Sequence, residues 1–327
     1  MGYVGALHAQ VYAKLRGARL VAVCDVDRAR SREVAKPLGC QALTDATELI
    51  GLVDAASIAV PTSLHHTVGK ILLDAGIHVL IEKPITTTLA QADELLALAA
   101  RRQALVQVGH IERFNAAIQT AKAHLTHPRF IEAHRLSPYP HRGTDVSVVL
   151  DVMIHDLDLV LALVKRQPVQ IDALGVAILS TSEDIANARL VFPTGCVANL
   201  TASRVSDERI RRIRLFQEDC YLSIDYQHQS VELARVSPAH GRSRGRDNIG
   251  RTIHRKTLAV RRRPPLDEEL TAFLKAVRTR TTPLNSPGQA GVSGEEAREA
   301  LALALAIEQT MRRARKTVHR PPSTVHR

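Results

Sequence analysis

The sequence contains no tryptophan, and aromatic residues make up only 3% of its 327 residues. The core must therefore be built mainly from leucine, alanine, valine and isoleucine, within an apolar fraction of 45% that is ordinary for a globular protein. The cysteines form no Cys-x-x-Cys pair, and they are Cys24, Cys40, Cys196 and Cys220. Such scattered cysteines argue against a zinc site or a disulfide framework and favour a reducing compartment.

Long apolar runs are also absent, and none approaches the roughly 20 residues that a membrane-spanning helix requires. The N-terminus lacks the basic and then apolar segments that are typical of a secretory signal. The sequence therefore predicts a cytoplasmic protein with no membrane association. Its length of 327 residues favours two domains.

Basic residues outnumber acidic ones: the sequence has 44 lysines and arginines and 33 aspartates and glutamates, which gives a net charge of +11. The excess lies mainly in segments that read as loops or tails, at 242–263, at 312–316 and in the final His-Arg repeats. No helix-turn-helix, zinc-finger or RNA-binding signature accompanies it, so nucleic-acid binding is the lesser alternative. The charge suits a small anionic ligand such as a nucleotide better.

The first third of the chain alternates short apolar runs with helical patterns. The strand-like runs end at an acid, a proline or a glycine, and they are residues 19–25, 55–60, 78–81 and 105–108. Helical patterns separate them at 27–38, 63–75 and 88–102. Regular alternation of this kind predicts βαβ units, and therefore an α/β domain with a doubly wound parallel sheet over residues 1–112.

After about residue 110 the pattern changes to strands that follow one another without intervening helices. The runs 185–192 and 196–204 are joined by Pro193-Thr194-Gly195, which indicates a hairpin. The sequence therefore predicts a second, α+β domain over residues 113–327 with a mainly antiparallel open sheet. We assign to it a long helix at 148–164, a basic loop at 237–263, and two C-terminal helices at 267–279 and 294–315.

The N-terminus carries part of a dinucleotide-binding fingerprint. Gly2 and Gly5 fit the second and third glycines of G-x-G-x-x-G, and Asp25 stands where the acid that binds a ribose 2′-hydroxyl is expected. An acid there favours NAD over NADP, although Arg28 keeps NADP possible. Because the first glycine and the strand before it are missing, we expect the natural start to lie upstream of Met1.

Glu82-Lys83-Pro84 directly follows the apolar run 78–81. Ligands of doubly wound sheets bind beyond the carboxyl ends of the strands, so this tripeptide is predicted at the cofactor crevice. A lysine held there can stabilise negative charge on a substrate oxygen as hydride leaves. Alone, a Lys-Pro pair after a strand is more often a surface turn.

A second polar group lies on the predicted helix 148–164, where Asp151, His155 and Asp158 follow at i, i+4 and i+7. A histidine titrates near neutrality and can accept the proton of a hydroxyl group. Asp151 can orient the imidazole or bind the substrate. A metal site needs at least three suitable ligands, and no further set is evident, so we predict no metal. Standing alone, this histidine would more often be a structural one.

Together these motifs resemble the Gfo/Idh/MocA oxidoreductase family. The resemblance rests on Gly2-x-x-Gly5-x-x-His8, Asp25, Val60-Pro61-Thr62 with His65-His66, Glu82-Lys83-Pro84, Gly109-His110-x-x-Arg113-Phe114-Asn115 and Asp151-x-x-x-His155. It implies a Rossmann domain followed by a domain whose open sheet often mediates oligomerisation, and hence a homo-dimer or homo-tetramer. It also implies the roles of three sets of residues. The catalytic set is Lys83, Asp151 and His155; the NAD-binding set is Gly2, Tyr3, Val4, Asp25, Pro61, Thr62, His65 and Glu82; the substrate-binding set is Arg113, Asn115 and Asp158.

Within the family, residues 146–158 and 183–190 resemble a bacterial subgroup of UDP-N-acetylglucosamine 3-dehydrogenases. That resemblance implies NAD-dependent oxidation of the sugar 3-hydroxyl, on a route to a diamino sugar for lipid A, with a nucleotide sugar as substrate. Two alternatives remain open at this point. One is a dehydrogenase of inositol or a free sugar, and the other is a non-catalytic dinucleotide sensor, which would have no need of both Lys83 and His155.

Overall fold

A computed structural model describes residues 1–139, 146–238, 251–280 and 291–318. Within these ranges the chain forms two compact units. The first comprises residues 1–115 and 263–302, and the second comprises residues 116–262 and 303–327. No helix in the described ranges has both the length and the apolar character needed to cross a bilayer.

The first unit contains short parallel strands flanked by helices. Its elements are α1 (Tyr3–Tyr12), β1 (Ala22–Cys24), α2 (Arg28–Leu38), β2 (Gln41–Leu43), β3 (Ala55–Ile58), α3 (Thr62–Asp74), β4 (His78–Glu82), α4 (Leu89–Arg102), β5 (Val106–Gly109) and α7 (Pro265–Thr279). The strands form two separate parallel sheets, β1–β2 and β3–β4–β5. The prediction of an N-terminal α/β domain with parallel strands is confirmed.

The central strands of the β3–β4–β5 sheet are buried, since Val79, Leu80, Ile81 and Val108 are fully buried and Val106 nearly so. On one face Leu80 and Leu105 pack with Leu270, Phe273 and Ala276 of α7. Side chains of α1 cover the same cluster. Because β3, β4 and β5 are parallel, their carboxyl ends lie at the same edge of the sheet.

The division of the chain differs from the one predicted between residues 112 and 113. Residues 263–302, which include α7, belong to the first unit. The amphipathic pattern of α7 predicts a helix with one apolar face, but it does not show which surface that face packs against. In the structure Phe273 packs on the face of the sheet that carries Leu80.

The second unit is built on an eight-stranded sheet in the order β13-β12-β11-β10-β6-β9-β8-β7. All neighbouring strands are antiparallel except β6 and β9, which run parallel. The strands are β6 (Phe130–Leu136), β7 (Gln170–Val176), β8 (Ile185–Val191), β9 (Val197–Ser203), β10 (Ile210–Phe216), β11 (Cys220–Asp225), β12 (Ser230–Pro238) and β13 (Arg251–Leu258). The helices assigned to this unit are α5 (Ala116–Lys122) and α6 (Ile154–Val164), and α8 (Gly294–Val318) contributes its last part. This confirms the predicted α+β domain with a mainly antiparallel sheet.

Two predictions of local structure in this region are wrong. Residues 251–258 of the supposed basic loop 237–263 form strand β13, which pairs along its length with β12. Its basic residues obscured the strand pattern, because an edge strand can expose many charged side chains. Residues 239–250 of that loop lie outside the described residues. The predicted helix 148–164 is likewise divided, since Val149–Met153 form a π-helical turn before α6 begins.

A buried ion pair fixes one end of the second unit. Arg204 and Asp184 are both fully buried, and Arg204 Nε donates to Asp184 Oδ1 at 2.9 Å. The second carboxylate oxygen accepts the backbone N–H groups of residues 178–180 at 2.6–2.8 Å. Burial alone would raise the pKa of Asp184, but these hydrogen bonds, with the Arg204 guanidinium, hold it well below its usual range.

Replacing Asp184 with alanine is expected to lower the free energy of unfolding by about 3–5 kcal/mol, because Arg204 would remain as an unpaired buried charge. The pH dependence has a definite sign. Because the pKa of Asp184 is lower in the folded protein than in the unfolded chain, its contribution to stability is fully present above the unfolded-state pKa of about 4. That contribution is lost as the pH falls from there through the folded-state pKa. Urea unfolding at neutral pH measures the loss, with the exposed Asp207→Ala as control. A loss below 1 kcal/mol would contradict the assigned role of the pair.

Candidate active site

Helix α1 of the first unit presents an exposed N-terminus. Gly2 is its N-cap residue and makes no side-chain cap, and Tyr3 and Val4 of the first turn are exposed. Apart from Gly2 itself and its neighbours in the chain, no described atom lies within 4 Å of the position that a Cβ would take at Gly2. Free N–H groups at a helix N-terminus attract anions such as a pyrophosphate. The helix end therefore has the open approach that a dinucleotide needs.

Asp25 follows β1 directly. Its Oδ1 accepts the backbone N–H of Asp27 at 2.8 Å, and its Oδ2 forms an ion pair with the amino group of Met1. Asp27 in turn caps α2 through the N–H groups of Ala29 and Arg30. The structure thus holds the Asp25 carboxylate in place while leaving it partly exposed.

Glu82, Lys83 and Pro84 form the end of β4 and the turn that follows it, with a cis peptide bond before Pro84. Glu82 pairs with Gly109 of β5, and a Cβ at Gly109 would lie 2.9 Å from the Glu82 carboxyl carbon. Only a glycine lets the Glu82 side chain lie flat against the neighbouring strand. Lys83 is half-buried, and its backbone N–H donates to Glu82 Oε2 at 3.3 Å.

Glu82 contacts a buried histidine on α1. His8 Nε2 lies 3.1 Å from Glu82 Oε1. Burial acts to raise the pKa of Glu82, but the hydrogen bond and charge of His8, together with the Lys83 ammonium, outweigh it and leave that pKa lowered. Glu82 is therefore held as a carboxylate directly beside Lys83.

His65, predicted to bind the cofactor, is buried and joins two turns of the first unit. Its Nδ1 lies 2.8 Å from the carbonyl oxygen of Pro84, and its Nε2 lies 2.9 Å from that of Val60. Burial lowers the pKa of His65, against the effect of both carbonyls. Pro61 and Thr62, at the start of α3, are exposed and half-exposed. His65 thus positions the backbone around these residues and Lys83.

Arg113 and Asn115, predicted to bind substrate, are both buried in the first unit. Arg113 Nη2 lies 3.5 Å from Glu296 Oε1, and Asn115 Nδ2 donates to Glu112 Oε2 at 3.2 Å. The Arg113–Glu296 contact connects the turn after β5 to the first turn of α8, whereas the Asn115–Glu112 hydrogen bond lies within that turn. A role for either side chain in substrate binding stays a prediction.

In the second unit the predicted polar stripe is divided between two kinds of helix. Asp151 lies in the π-helical turn, and His155 lies in the first turn of α6; both are half-buried. A π-helical turn is wider than an α-helical one and is frequent at functional sites. Asp158 is 1% exposed, so its predicted contact with substrate stays a prediction and would need a change in its surroundings.

The residue after His155 secures α6 to the sheet. Arg135 of β6 binds Asp156 through two hydrogen bonds of 2.9 and 3.0 Å, and both side chains are buried. The Arg135 guanidinium also lies 5.1 Å from the ring centroid of Tyr226. The sequence predicts no role for these residues, because strand spacing does not show which acid on α6 an arginine on β6 will contact.

Two family models match successive parts of the chain. Residues 1–110 match the family model described as the GFO/IDH/MocA oxidoreductase family with an NAD-binding Rossmann fold. Residues 114–222 match the model of the GFO/IDH/MocA C-terminal domain.

Three relatives illustrate the similarity. UDP-N-acetylglucosamine 3-dehydrogenase from Acidithiobacillus ferrooxidans is 42% identical over 234 residues, which cover 71% of this chain and 74% of that enzyme. A solved structure of that enzyme has a TM-score of 0.84 with 35% identity and covers 95% of each chain. Inositol 2-dehydrogenase 1 from Saccharopolyspora erythraea is 28% identical over 260 residues, which cover 76% of each protein.

Proposed function

The chain belongs to the GFO/IDH/MocA family of oxidoreductases, and from that premise we propose that it oxidises the 3-hydroxyl of UDP-N-acetylglucosamine to the 3-keto sugar with NAD. The observation that carries the proposal is the 42% identity to an enzyme named for that reaction. Glu82-Lys83-Pro84 at the end of β4 and Asp151-x-x-x-His155 at the start of α6 support it.

The residues of the first unit fit a dinucleotide. The exposed N-terminus of α1, at Gly2, Tyr3 and Val4, offers backbone N–H groups to a pyrophosphate. Asp25 offers a carboxylate to a ribose hydroxyl and would repel a 2′-phosphate, which favours NAD over NADP. When bound, the nicotinamide accepts the hydride. Pro61, Thr62 and Glu82, with His65 behind them, would lie toward the nicotinamide half.

Lys83, His155 and Asp151 would then divide the work on the sugar. Lys83 donates a hydrogen bond to the reacting oxygen and stabilises its developing negative charge. His155 accepts the hydroxyl proton, and Asp151 orients the imidazole or contacts the sugar. Arg113, Asn115 and Asp158 are proposed to support substrate binding, all three from buried positions.

We further propose that the enzyme acts in the cytoplasm as a homo-dimer or homo-tetramer, on the route to a diamino sugar of lipid A. Exposed apolar side chains on β7, Leu174 and Val176, support an interface on that part of the sheet. The free cysteines of the described residues fit a reducing compartment.

Inositol oxidation is the second candidate, since an inositol 2-dehydrogenase is among the relatives.

A substrate panel tests the proposed activity directly. Purified protein is mixed with NAD or NADP and with UDP-N-acetylglucosamine, UDP-glucose, myo-inositol or glucose, and the reduced cofactor is followed by its absorbance. We expect turnover with UDP-N-acetylglucosamine and NAD, and much slower turnover with NADP. Turnover of myo-inositol, together with no turnover of either UDP sugar, would establish inositol oxidation instead.

A further inference from the structure

The helical turn that carries Asp151 begins at a buried serine, Ser147. Its Oγ accepts the backbone N–H of Leu150 at 3.4 Å, as the hydroxyl of a helix-capping serine does. The same Oγ donates to Oε1 of Glu308 on α8, a buried residue that is 161 positions away in the chain. A hydroxyl group has one proton to donate, so this bond fixes the direction of the Ser147 side chain and the place where the turn starts.

The backbone on either side of Ser147 is attached to the sheet of the second unit. The N–H of Val148 donates to the carbonyl oxygen of Glu183, just before β8, at 2.9 Å. The carbonyl oxygen of Val146 accepts a hydrogen bond of 2.8 Å from Nη1 of Arg204, just after β9. The start of the turn is thus held through the backbone on the side of the sheet and through the Ser147 hydroxyl on the side of α8.

Helix α8 packs closely enough on β7 to hold the Glu308 carboxylate in place. Met311, in the turn after Glu308, is 1% exposed, and its sulfur lies 2.6 Å from the position that a Cβ would take at Gly175. One turn further on, Arg315 donates to the carbonyl oxygen of Gly175 at 3.2 Å and lies 3.2 Å from Glu183 Oε1. Because these contacts hold the helix, Glu308 is a fixed acceptor for Ser147.

The turn that follows Ser147 contains one residue more than an α-helical turn. Its hydrogen bond runs from the N–H of Ile154 to the carbonyl oxygen of Val149, five residues back. In an α-helix each residue turns the chain by about 100° around the axis. Loss of the extra residue would therefore rotate Asp151 by up to about 100° relative to His155. The orientation of these two side chains depends on the turn keeping its π-helical form.

We propose that Ser147 and Glu308 are positioning residues for the reaction, which hold the π-helical turn in the form that presents Asp151 together with His155. The proposal rests on the proposed function, in which Asp151 orients the base or contacts the sugar. Both positioning side chains are buried, so they act on the reaction through the turn and not by touching the substrate.

The test compares Glu308→Met, which removes the acceptor at a similar volume, with Glu308→Gln, whose amide oxygen can accept the same hydrogen bond. We expect Glu308→Met to lower kcat with UDP-N-acetylglucosamine by about 10²-fold, the loss typical of a misplacement of about 1 Å. The KM for NAD should stay at the parental value, because the fingerprint residues belong to the first unit. Glu308→Gln should restore most of the parental kcat. Gln309→Met is the matched control, since Gln309 is the next residue on the helix and is exposed.

A pair that only stabilised the fold would lower the melting temperature and leave kcat unchanged below the melt. A parental kcat in folded Glu308→Met therefore overturns the proposal, and so does a Glu308→Gln enzyme as slow as Glu308→Met. If Glu308→Met does not fold, Ser147→Ala decides, because it removes the same hydrogen bond from the other side. A kcat lowered to a similar extent supports the proposal, and a parental one overturns it.

A second measurement does not depend on turnover. Amide hydrogen exchange is followed by mass spectrometry in peptides that cover residues 147–155, in the parent and in the three variants at positions 308 and 309. We expect exchange about 3-fold to 10-fold faster in Glu308→Met only, as the loss of one hydrogen bond allows, and confined to these peptides. Exchange at the parental rate there, or equally faster exchange throughout the chain, overturns the proposal. Faster exchange confined to the turn supports it even if no tested sugar is oxidised, and failure of the proposed function is seen separately in the substrate panel.

Discussion

Replacing His155 with alanine is expected to lower kcat by about 10²–10⁴-fold, the contribution typical of a general base. The physical reason is that no other proposed group can take the hydroxyl proton as hydride departs. His155 is half-buried in the first turn of α6, and the helix is held by the Arg135–Asp156 pair. Because His155 is only half-buried and lies outside the apolar core, its replacement should leave the fold intact.

The measurement is steady-state turnover with UDP-N-acetylglucosamine, with NAD binding followed by fluorescence. NAD affinity should be nearly unchanged, because His155 belongs to the second unit and the fingerprint residues belong to the first. His228→Ala is the matched control, since His228 is exposed in the same unit. Turnover of His155→Ala at the parental rate would exclude His155 as the base.

Replacing Lys83 with methionine is expected to lower kcat by about 10²–10³-fold, the loss typical of removing one donor to a developing oxyanion. Methionine keeps most of the length of the side chain and removes its charge. The half-buried Glu82 carboxylate would lose its neighbouring cation, so a small loss of stability should accompany the loss of rate. Kinetics at saturating NAD and a thermal melt measure the two effects separately.

Two further variants make this result specific. Lys70→Met removes an exposed lysine that pairs with Glu94 on the surface of the same unit, and it should leave kcat unchanged. Lys83→Arg keeps the charge but presents a broad planar group, so it should restore little activity. A Lys83→Met enzyme with the parental kcat would rule out the assigned hydrogen bond.

The sequence predicts the parts of this protein that depend on local patterns. An apolar run was sufficient to predict β4, and helical periodicity was sufficient to predict α4. The position of Lys83 just after a buried strand followed from the prediction of β4. The hairpin of β8 and β9 followed in the same way from Pro193-Thr194-Gly195 between two apolar runs. In each case the residues that determine the structure are neighbours in the chain.

The features that escaped prediction depend on contacts between distant residues. His8 and Glu82 are 74 residues apart, and nothing in either segment shows that α7 brings Glu269 to them. The π-helical turn at Val149–Met153 has an ordinary amphipathic pattern, so its extra residue per turn cannot be read from periodicity. Strand β13 was missed because its charges resemble those of a loop.

The division of the chain has a consequence for synthesis on the ribosome. The first unit includes residues 263–302, so most of the second unit must emerge before the first can be finished. Until Phe273 leaves the exit tunnel, the face of the sheet that carries Leu80 and Leu105 lacks the cover of α7. A nascent chain arrested near residue 260 should therefore bind chaperones through that face, and release of the complete polypeptide should end the binding.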